Sequence, residues 1–352
     1  MKVAIWGSYN YGNYGDDVMA LMFAQHLQKL GVTPYVYRLN TKLAQQYNVK
    51  TVNSLEELIK GAKFCVLGGG TVLLEPLSGS IGSAMNEDTK QLLEVIQKAE
   101  CPLFSISIGS DGTTIANRKL TRYQWKLLES KNFQGGTVRL KQDAELFQQL
   151  GKKVSLFPDV VLSLNQFWKT ESKLATTEKL KVGFCIPDTP GTRKFADLLS
   201  IFAYLRRHAV FYFINTHLPE YNIKSGLLPS TNKPFIQHHY YEDPATMIKF
   251  LSSLDLLISN KLHPGITALG LGIPIYNLDK RAKTTSVLNS IDLNFVTYSL
   301  GKRFLVQLSR KLLSRKGILD TQNKFNFKSI EKYKEESKGH LDYLTELVER
   351  FR

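Results

Sequence analysis

The chain has 352 residues, 43% hydrophobic and 22% charged, an ordinary globular balance with enough length for two domains and a substantial core. Its 46 Lys+Arg against 31 Asp+Glu leave a formal charge of +15, which points to anionic partners such as phosphates or acidic glycans. No DNA- or RNA-binding motif accompanies that charge, so nucleic acid is not the expected partner. No apolar run approaches ~20 residues, which argues against a membrane span. Cys65, Cys101 and Cys185 stand in apolar runs without CxxC or His/Cys ligand spacing, and read as buried, reduced thiols. The sequence enters a strand at once, without the apolar stretch and cleavage site of a signal peptide, so a cytoplasmic protein is expected.

In chain order, residues 2–6 read as a strand. Residues 16–30 read as a helix, with Val18, Leu21, Met22, Leu27 and Leu30 on one face and Gly31 at its end. Strands are expected at 34–38, 64–67, 103–108 and 154–157, and helices at 88–99 and 141–150. The polar stretch 164–179 reads as a linker. A second series follows, with strands at 182–186, 210–215, 256–259 and 274–277 and helices at 194–208, 247–254 and from 266. Strands separated by helices predict α/β architecture with parallel, doubly wound sheets. The expected organisation is two Rossmann-like domains, 1–165 and 180–300, with the active site in a cleft between them, and a helical tail of basic and then mixed charge, 301–352.

The candidate chemistry lies just after the strands. The loop after the first holds Gly7, Gly12 and Gly15 among small polar residues, then Asp16 and Asp17. Glycines let a backbone approach a ligand closely, and the following helix offers free N–H groups. The two acids read either as first-turn residues favoured by the helix dipole or as carboxylates acting on a sugar hydroxyl. Gly68-Gly69-Gly70 follows the strand at 64–67, and Ser107-Ile108-Gly109 repeats the theme. Arg139, in the loop expected at Gly135-Gly136-Thr137-Val138-Arg139, can grip carboxylate or phosphate with a bidentate fork. Asp159, in Pro158-Asp159, reads as a cap or a cleft residue.

The most informative stretch runs from Ser259 to Leu269. An apolar strand stops at a polar group, and Lys261 and His263 stand two positions apart before a second apolar helix. Ligands bind outside the carboxyl ends of strands in open α/β sheets. A cation and an imidazole there suit an anionic substrate that needs a proton moved. Pro264 disfavours a helical conformation at His263, which predicts a loop site. His217, at the end of the strand 210–215, is a secondary candidate, and Lys280 and Lys283 follow another strand.

Taken in order, Asn13-Tyr14-Gly15-Asp16-Asp17, Leu67-Gly68-Gly69-Gly70, Ser107-Ile108-Gly109, Val138-Arg139, Pro158-Asp159 and Lys261-Leu262-His263 resemble the motifs of the polysaccharide pyruvyl transferases over about residues 1–290. The resemblance implies two Rossmann-type domains in a GT-B-like arrangement. It implies transfer of the pyruvyl group of phosphoenolpyruvate (PEP) onto two hydroxyls of one sugar of a cell-surface polysaccharide or its precursor, forming a cyclic ketal. It places PEP binding on Arg139, Lys261, Leu262 and His263; Lys280, after its strand, reads either as an addition to that anion site or as a solvated loop residue. His263, Asp16 and Asp17 become catalytic candidates, and Asn13, Gly15, Gly68, Gly69, Gly70 and His217 candidates for the acceptor and its loops. The family's arginine is Lys261 here, which keeps the charge but loses the planar grip. No metal or redox cofactor is expected, with PEP as donor substrate.

Residues 301–317 carry Lys302, Arg303, Arg310, Lys311, Arg315 and Lys316 without an acid, with Leu305, Leu308 and Leu312 at helical spacing. They read either as a peripheral membrane contact that would suit a lipid-linked acceptor or as a core-packed helix with a solvated face. Two other functions use the same features: a GT-B glycosyltransferase taking a nucleotide sugar, and a non-catalytic binding protein with a decayed site.

Overall fold

The computed structural model describes residues 1–70, 72–73, 80–110, 120–170, 179–186, 193–197, 199–201, 209–221, 236–278, 282–293, 296–298, 308, 312, 314–322, 325 and 327–352. The chain divides into two compact units. The first comprises Met1–Gly12, Asp16–Val160 and Glu335–Arg352; the second comprises Asn13–Gly15 and Val161–Lys334.

The first unit holds a parallel sheet of β1 (Lys2–Trp6), β2 (Thr33–Tyr37), β3 (Lys50–Val52), β4 (Cys65–Gly68), β5 (Leu103–Ile108), β6 (Phe133–Val138) and β7 (Val154–Leu156), in the order β3-β2-β1-β4-β5-β6-β7. The intervening helices are α1 (Tyr14–Lys29), α2 (Thr41–Gln46), α3 (Leu55–Ile59), α4 (Ser80–Ala99), α5 (Arg122–Glu129) and α6 (Lys141–Gln149). The strand order reverses between β1 and β4, which pair in register Trp6 to Leu67. That switch point is where open α/β sheets take ligands.

The second unit repeats the plan. Its parallel sheet is β8 (Leu180–Cys185), β9 (Ala209–Ile214), β10 (Ile236–His239), β11 (Leu256–Ser259), β12 (Ile275–Leu278) and β13 (Thr297–Tyr298), in the order β10-β9-β8-β11-β12-β13. Helices α7 (Pro244–Ser252), α8 (Leu262–Gly270), α9 (Ala282–Asn289), α10 (Arg315–Gln322) and α11 (Phe327–Ser337) accompany it. The order reverses between β8 and β11, so Asn260 and Lys261 leave the sheet at its switch point.

The α/β, doubly wound expectation therefore holds for both sheets, and each has its own apolar core. Several elements differ from expectation. Gly135 and Gly136 lie inside β6 rather than in a loop. A Cβ on Gly135 would fall 2.2 Å from the Lys153 carbonyl oxygen, and one on Gly136 2.1 Å from that of Ser105. Their φ angles of 126° and 145° are left to glycine, so the pair serves close strand packing. The short strands β3 (KTV), β10 (IQHH) and β13 (TY) also escape the sequence pattern, because none carries the apolar run that marks the strands expected.

The last helix, α12 (Gly339–Phe351), belongs to the first unit although sequence sets it apart in a tail. It buries Leu341, Leu344, Leu347 and Val348, and the Phe351 ring packs 5.2 Å from that of Phe64. Of the basic stretch, Leu308 and Leu312 join the core of the second unit, as a core-packed helix requires, while Arg315 and Lys316 are exposed. Lys302, Arg303, Leu305, Arg310 and Lys311 lie outside the described residues. No helix among the described residues is long and apolar enough to cross a membrane.

Candidate functional site

The second unit gathers two of the sequence motifs. Strand β11 ends at Ser259, and the chain enters α8 at Leu262 with Lys261 as an extended N-cap (φ −97°, ψ 134°). The Ser259 hydroxyl fixes this turn from both sides. Its Oγ accepts the Lys261 N–H at 2.9 Å and donates to the Lys261 carbonyl at 2.9 Å. The Lys261 side chain makes no capping hydrogen bond, and the positive dipole end of a helix suits an anion. His263 is therefore helical rather than in the expected loop. Pro264 falls in the first turn, where a backbone N–H has no intrahelical partner and its loss costs nothing.

His263 is 6% exposed and lies against Gly15. A Cβ added to Gly15 would fall 1.8 Å from His263 Nδ1 and 2.4 Å from Cγ. Gly15 does not have a positive φ, so space for the imidazole is what its position requires. Asn13 Oδ1 accepts the Gly15 N–H at 3.1 Å, and Asn13 forms a β-bridge with His217. Tyr14 ties the same segment down. Its N–H donates to the Thr216 carbonyl at 2.9 Å, and its hydroxyl shares a 2.8 Å hydrogen bond with that of Thr267, on α8. Asn13, Gly15, His217, Lys261, Leu262 and His263 are thus one cluster around the start of α8.

His217 is 7% exposed, and burial, aided by the Lys261 charge, lowers its pKa to about 4. It is neutral at pH 7 and suited to hydrogen bonding rather than to donating a proton to substrate. The same Lys261 charge acts on buried Cys185, whose thiol burial nonetheless pushes up to about 11. All three cysteines are buried and free of disulfides.

The first unit holds the other motifs at the carboxyl ends of β4 to β7. Gly69 and Gly70 adopt φ of 65° and 73°, and a Cβ on Gly70 would come within 3.3 Å of Asp16 Oδ1. Asp16 is part-exposed and Asp17 is fully buried, both in the first turn of α1. The Gly109 N–H donates to the Gly70 carbonyl at 3.1 Å, joining the two glycine loops.

Arg139 lies at this edge, but its side chain is sealed. It is 1% exposed, and Nη1 donates to Asp159 Oδ2 at 2.8 Å. Its flank rests on Gly109, where a Cβ would fall 2.6 Å from Nε. Nε and Nη2 have no partner among the described residues. In this geometry the arginine secures the loops of its own unit.

His340 from α12 braces the segments that carry the pair, at Thr137 and Pro158. The His340 Nε2–H donates to the Pro158 carbonyl at 3.0 Å, which sets the tautomer, and Nδ1 accepts from the Thr137 hydroxyl at 2.6 Å. Thr137 Oγ1 in turn accepts the Ser107 N–H at 3.1 Å, and Ser107 Oγ accepts the Val160 N–H at 3.2 Å. Burial lowers the His340 pKa to about 4, so this network is neutral at pH 7. Lys280 lies outside the described residues. Among the described residues no group of three or more His, Cys, Asp or Glu could hold a metal.

The family model for polysaccharide pyruvyl transferases matches residues 13–279, most of the chain and both clusters apart from His340. The chain belongs to the polysaccharide pyruvyl transferase family. No curated protein matches it. Among solved structures it is similar to S. aureus MnaA with UDP, with TM-score 0.61, 10% identity and coverage of 98% of each chain. It is also similar to UDP-GlcNAc 2-epimerase from Neisseria meningitidis bound to UDP-GlcNAc, with TM-score 0.60, 11% identity and coverage of 98% of this chain and 100% of that one. The enzyme in complex with UDP-GlcNAc and UDP from Methanocaldococcus jannaschii has TM-score 0.53, 12% identity and coverage of 94% and 98%. At such identity these likenesses establish the fold, an α/β architecture of the GT-B kind.

Within this pyruvyl transferase chain, two groups escaped sequence reasoning. His340 lies 201 positions from Arg139 in a mixed-charge helix and carries no motif. Asn260 was visible only as a polar residue ending an apolar run. It is 1% exposed, and both side-chain atoms lack a partner among the described residues.

Proposed function

We propose that the protein transfers the pyruvyl group of PEP onto two hydroxyls of one sugar in a cell-surface polysaccharide or its precursor, closing a ketal and releasing phosphate. The observation that carries this reading is the packing of His263 on Gly15 at the start of α8, beside Lys261. That arrangement joins a cation and a positive helix end, which suit a phosphate and a carboxylate, to an imidazole that can move a proton.

His263 protonates the methylene carbon C3 of PEP, and C2 becomes an oxocarbenium-like electrophile. One sugar hydroxyl adds to C2 and gives up its proton; the C2–O bond to phosphate breaks; the second hydroxyl adds and closes the ring. One hydroxyl proton restores His263, and the other leaves with phosphate or through a base. Of the two acids, part-exposed Asp16 is the candidate base and buried Asp17 the structural one. Lys261 neutralises the donor as a point charge.

The test is isothermal calorimetry with PEP, followed by phosphate release against a panel of acceptor sugars. His263→Ala is expected to keep the fold and the PEP affinity within about tenfold while losing turnover by 10²-fold or more, the range of a positioned general acid. Turnover near that of the wild type would sink the role of His263. The structural neighbours named above carry UDP or UDP-GlcNAc, so UDP-GlcNAc is the control ligand. Binding of it in place of PEP would move the reading to nucleotide-sugar chemistry.

A further inference from the structure

We propose that Asn260 contacts substrate, its carboxamide hydrogen-bonding the phosphate-bearing donor held at the start of α8. This rests on the donor reading above. Asn260 stands one residue beyond the carboxyl end of β11, at the point where the order of the second sheet reverses. Its backbone is accounted for: the N–H donates to the Cys185 carbonyl at 2.9 Å. Its side chain is not. With the residue 1% exposed, Nδ2 and Oδ1 are shielded from bulk water and find no protein partner among the described residues.

The neighbouring groups do not relieve it. The Ser259 hydroxyl is committed to the Lys261 backbone. Buried polar groups are nearly always hydrogen-bonded, and an amide that forgoes all of its bonds is a standing cost. Two independent features therefore meet at one place: the N-terminus of a nine-residue helix and a buried carboxamide with unused capacity. The chemistry of the carboxamide also suits two reactants. Its two N–H groups match oxygens that only accept, as in phosphate and carboxylate, and its Oδ1 accepts from a hydroxyl, as on a sugar.

Two near-isosteric variants test this by opposite effects on stability and binding. In ligand-free protein Asn260→Leu removes an unsatisfied amide, and the melting temperature is expected to rise by about 2–4 °C. The same variant is expected to bind PEP about tenfold more weakly by calorimetry. Asn260→Asp keeps an acceptor oxygen, replaces the donors with a carboxylate and is expected to bind about a hundredfold more weakly, because like charges now meet. A fall in the melting temperature of Asn260→Leu would overturn the proposal, since the amide would then be satisfied within the fold. Unchanged PEP affinity in both variants, with Lys261→Ala losing it, would also overturn it. If the wild type binds UDP-GlcNAc and not PEP, the pyruvyl reading fails, while the same two losses of UDP-GlcNAc affinity keep Asn260 as a donor contact. Binding of neither ligand by the wild type overturns both.

Discussion

Gly15→Ala separates the structure from ordinary expectation because the two forecast opposite signs. Gly15 lies in the first turn of α1 without a positive φ. By propensity alone, alanine there would stabilise the protein by up to about 1 kcal/mol. In the structure the new methyl would lie 1.8 Å from His263 Nδ1, where ordinary contact begins at 3.4 Å. The ring must withdraw by about 1.6 Å, or the helix must shift, and overpacking of a filled site costs about 1–3 kcal/mol. A displacement of that size also costs about 10²-fold or more in turnover where a catalytic group must be aligned. Urea denaturation of the wild type, Gly15→Ala, His263→Ala and the double variant forms a cycle that needs no acceptor sugar. With His263 cut back to alanine the methyl has room, and Gly15→Ala should then become neutral or stabilising. The expected coupling is about 1–3 kcal/mol. A Gly15→Ala protein that is more stable than the wild type, with no coupling to His263, would refute the reasoning.

The buried His340 gives a pH prediction. Its folded pKa is about 4 against 6.5 unfolded, so its contribution is fully present above pH 6.5 and lost as pH falls towards 4. At about 1.4 kcal/mol per pH unit for one proton this comes to about 3–4 kcal/mol over the whole range, and His340→Gln should flatten the fall between pH 7 and pH 5 in denaturant titrations. Removing Arg139 takes the guanidinium from the buried Asp159 carboxylate, so Arg139→Ala should destabilise by about 3–5 kcal/mol, whereas the double Arg139→Met, Asp159→Leu should recover most of it. Loss of PEP binding in Arg139→Ala therefore counts only beside a melting curve. Lys261→Arg restores the planar fork and should bind PEP several-fold more tightly, by about 1 kcal/mol, in the calorimetry that sees Lys261→Ala lose about tenfold or more.

The fold was legible because its signal is local and repeated. Each weak motif follows a strand: Asn13–Asp17 after β1, Gly68–Gly70 at the end of β4, Ser107–Gly109 at the end of β5, Arg139 after β6 and Lys261–His263 after β11. Within each unit a parallel sheet puts the residues that follow its strands at one edge, so spacing along that part of the chain became adjacency within the unit. What could not be read was set by distance in sequence or by burial. His340 reaches Thr137 and Pro158 from the far end of the chain. The pattern Gly-Gly-Thr-Val-Arg looks like a loop until neighbouring strands are seen to exclude a Cβ. An arginine beside glycines looks exposed, and only the fold shows Arg139 sealed against Asp159.

The unmet polar groups give a separate line of argument. Among the described residues, buried side-chain atoms without partners include Trp6 Nε1 at the end of β1, Arg139 Nε and Nη2 after β6, and the Asn260 carboxamide after β11, as well as Ser105 Oγ within β5 and Gln25 Nε2 within α1. Each costs about 1–3 kcal/mol relative to a satisfied group, a large share of a typical folding free energy. A sequence selected for stability alone would replace them with apolar residues of similar shape. Trp6, Arg139 and Asn260 stand at the carboxyl edges of parallel strands, where this architecture takes its ligands. Asn260 is the sharpest case, because it adjoins Lys261 and precedes the helix whose first turn carries His263. If the cost is borne for binding, donor should raise the melting temperature of the wild type more than that of Asn260→Leu at equal ligand concentration. Equal shifts in the two proteins would mean that the carboxamide does not meet the donor.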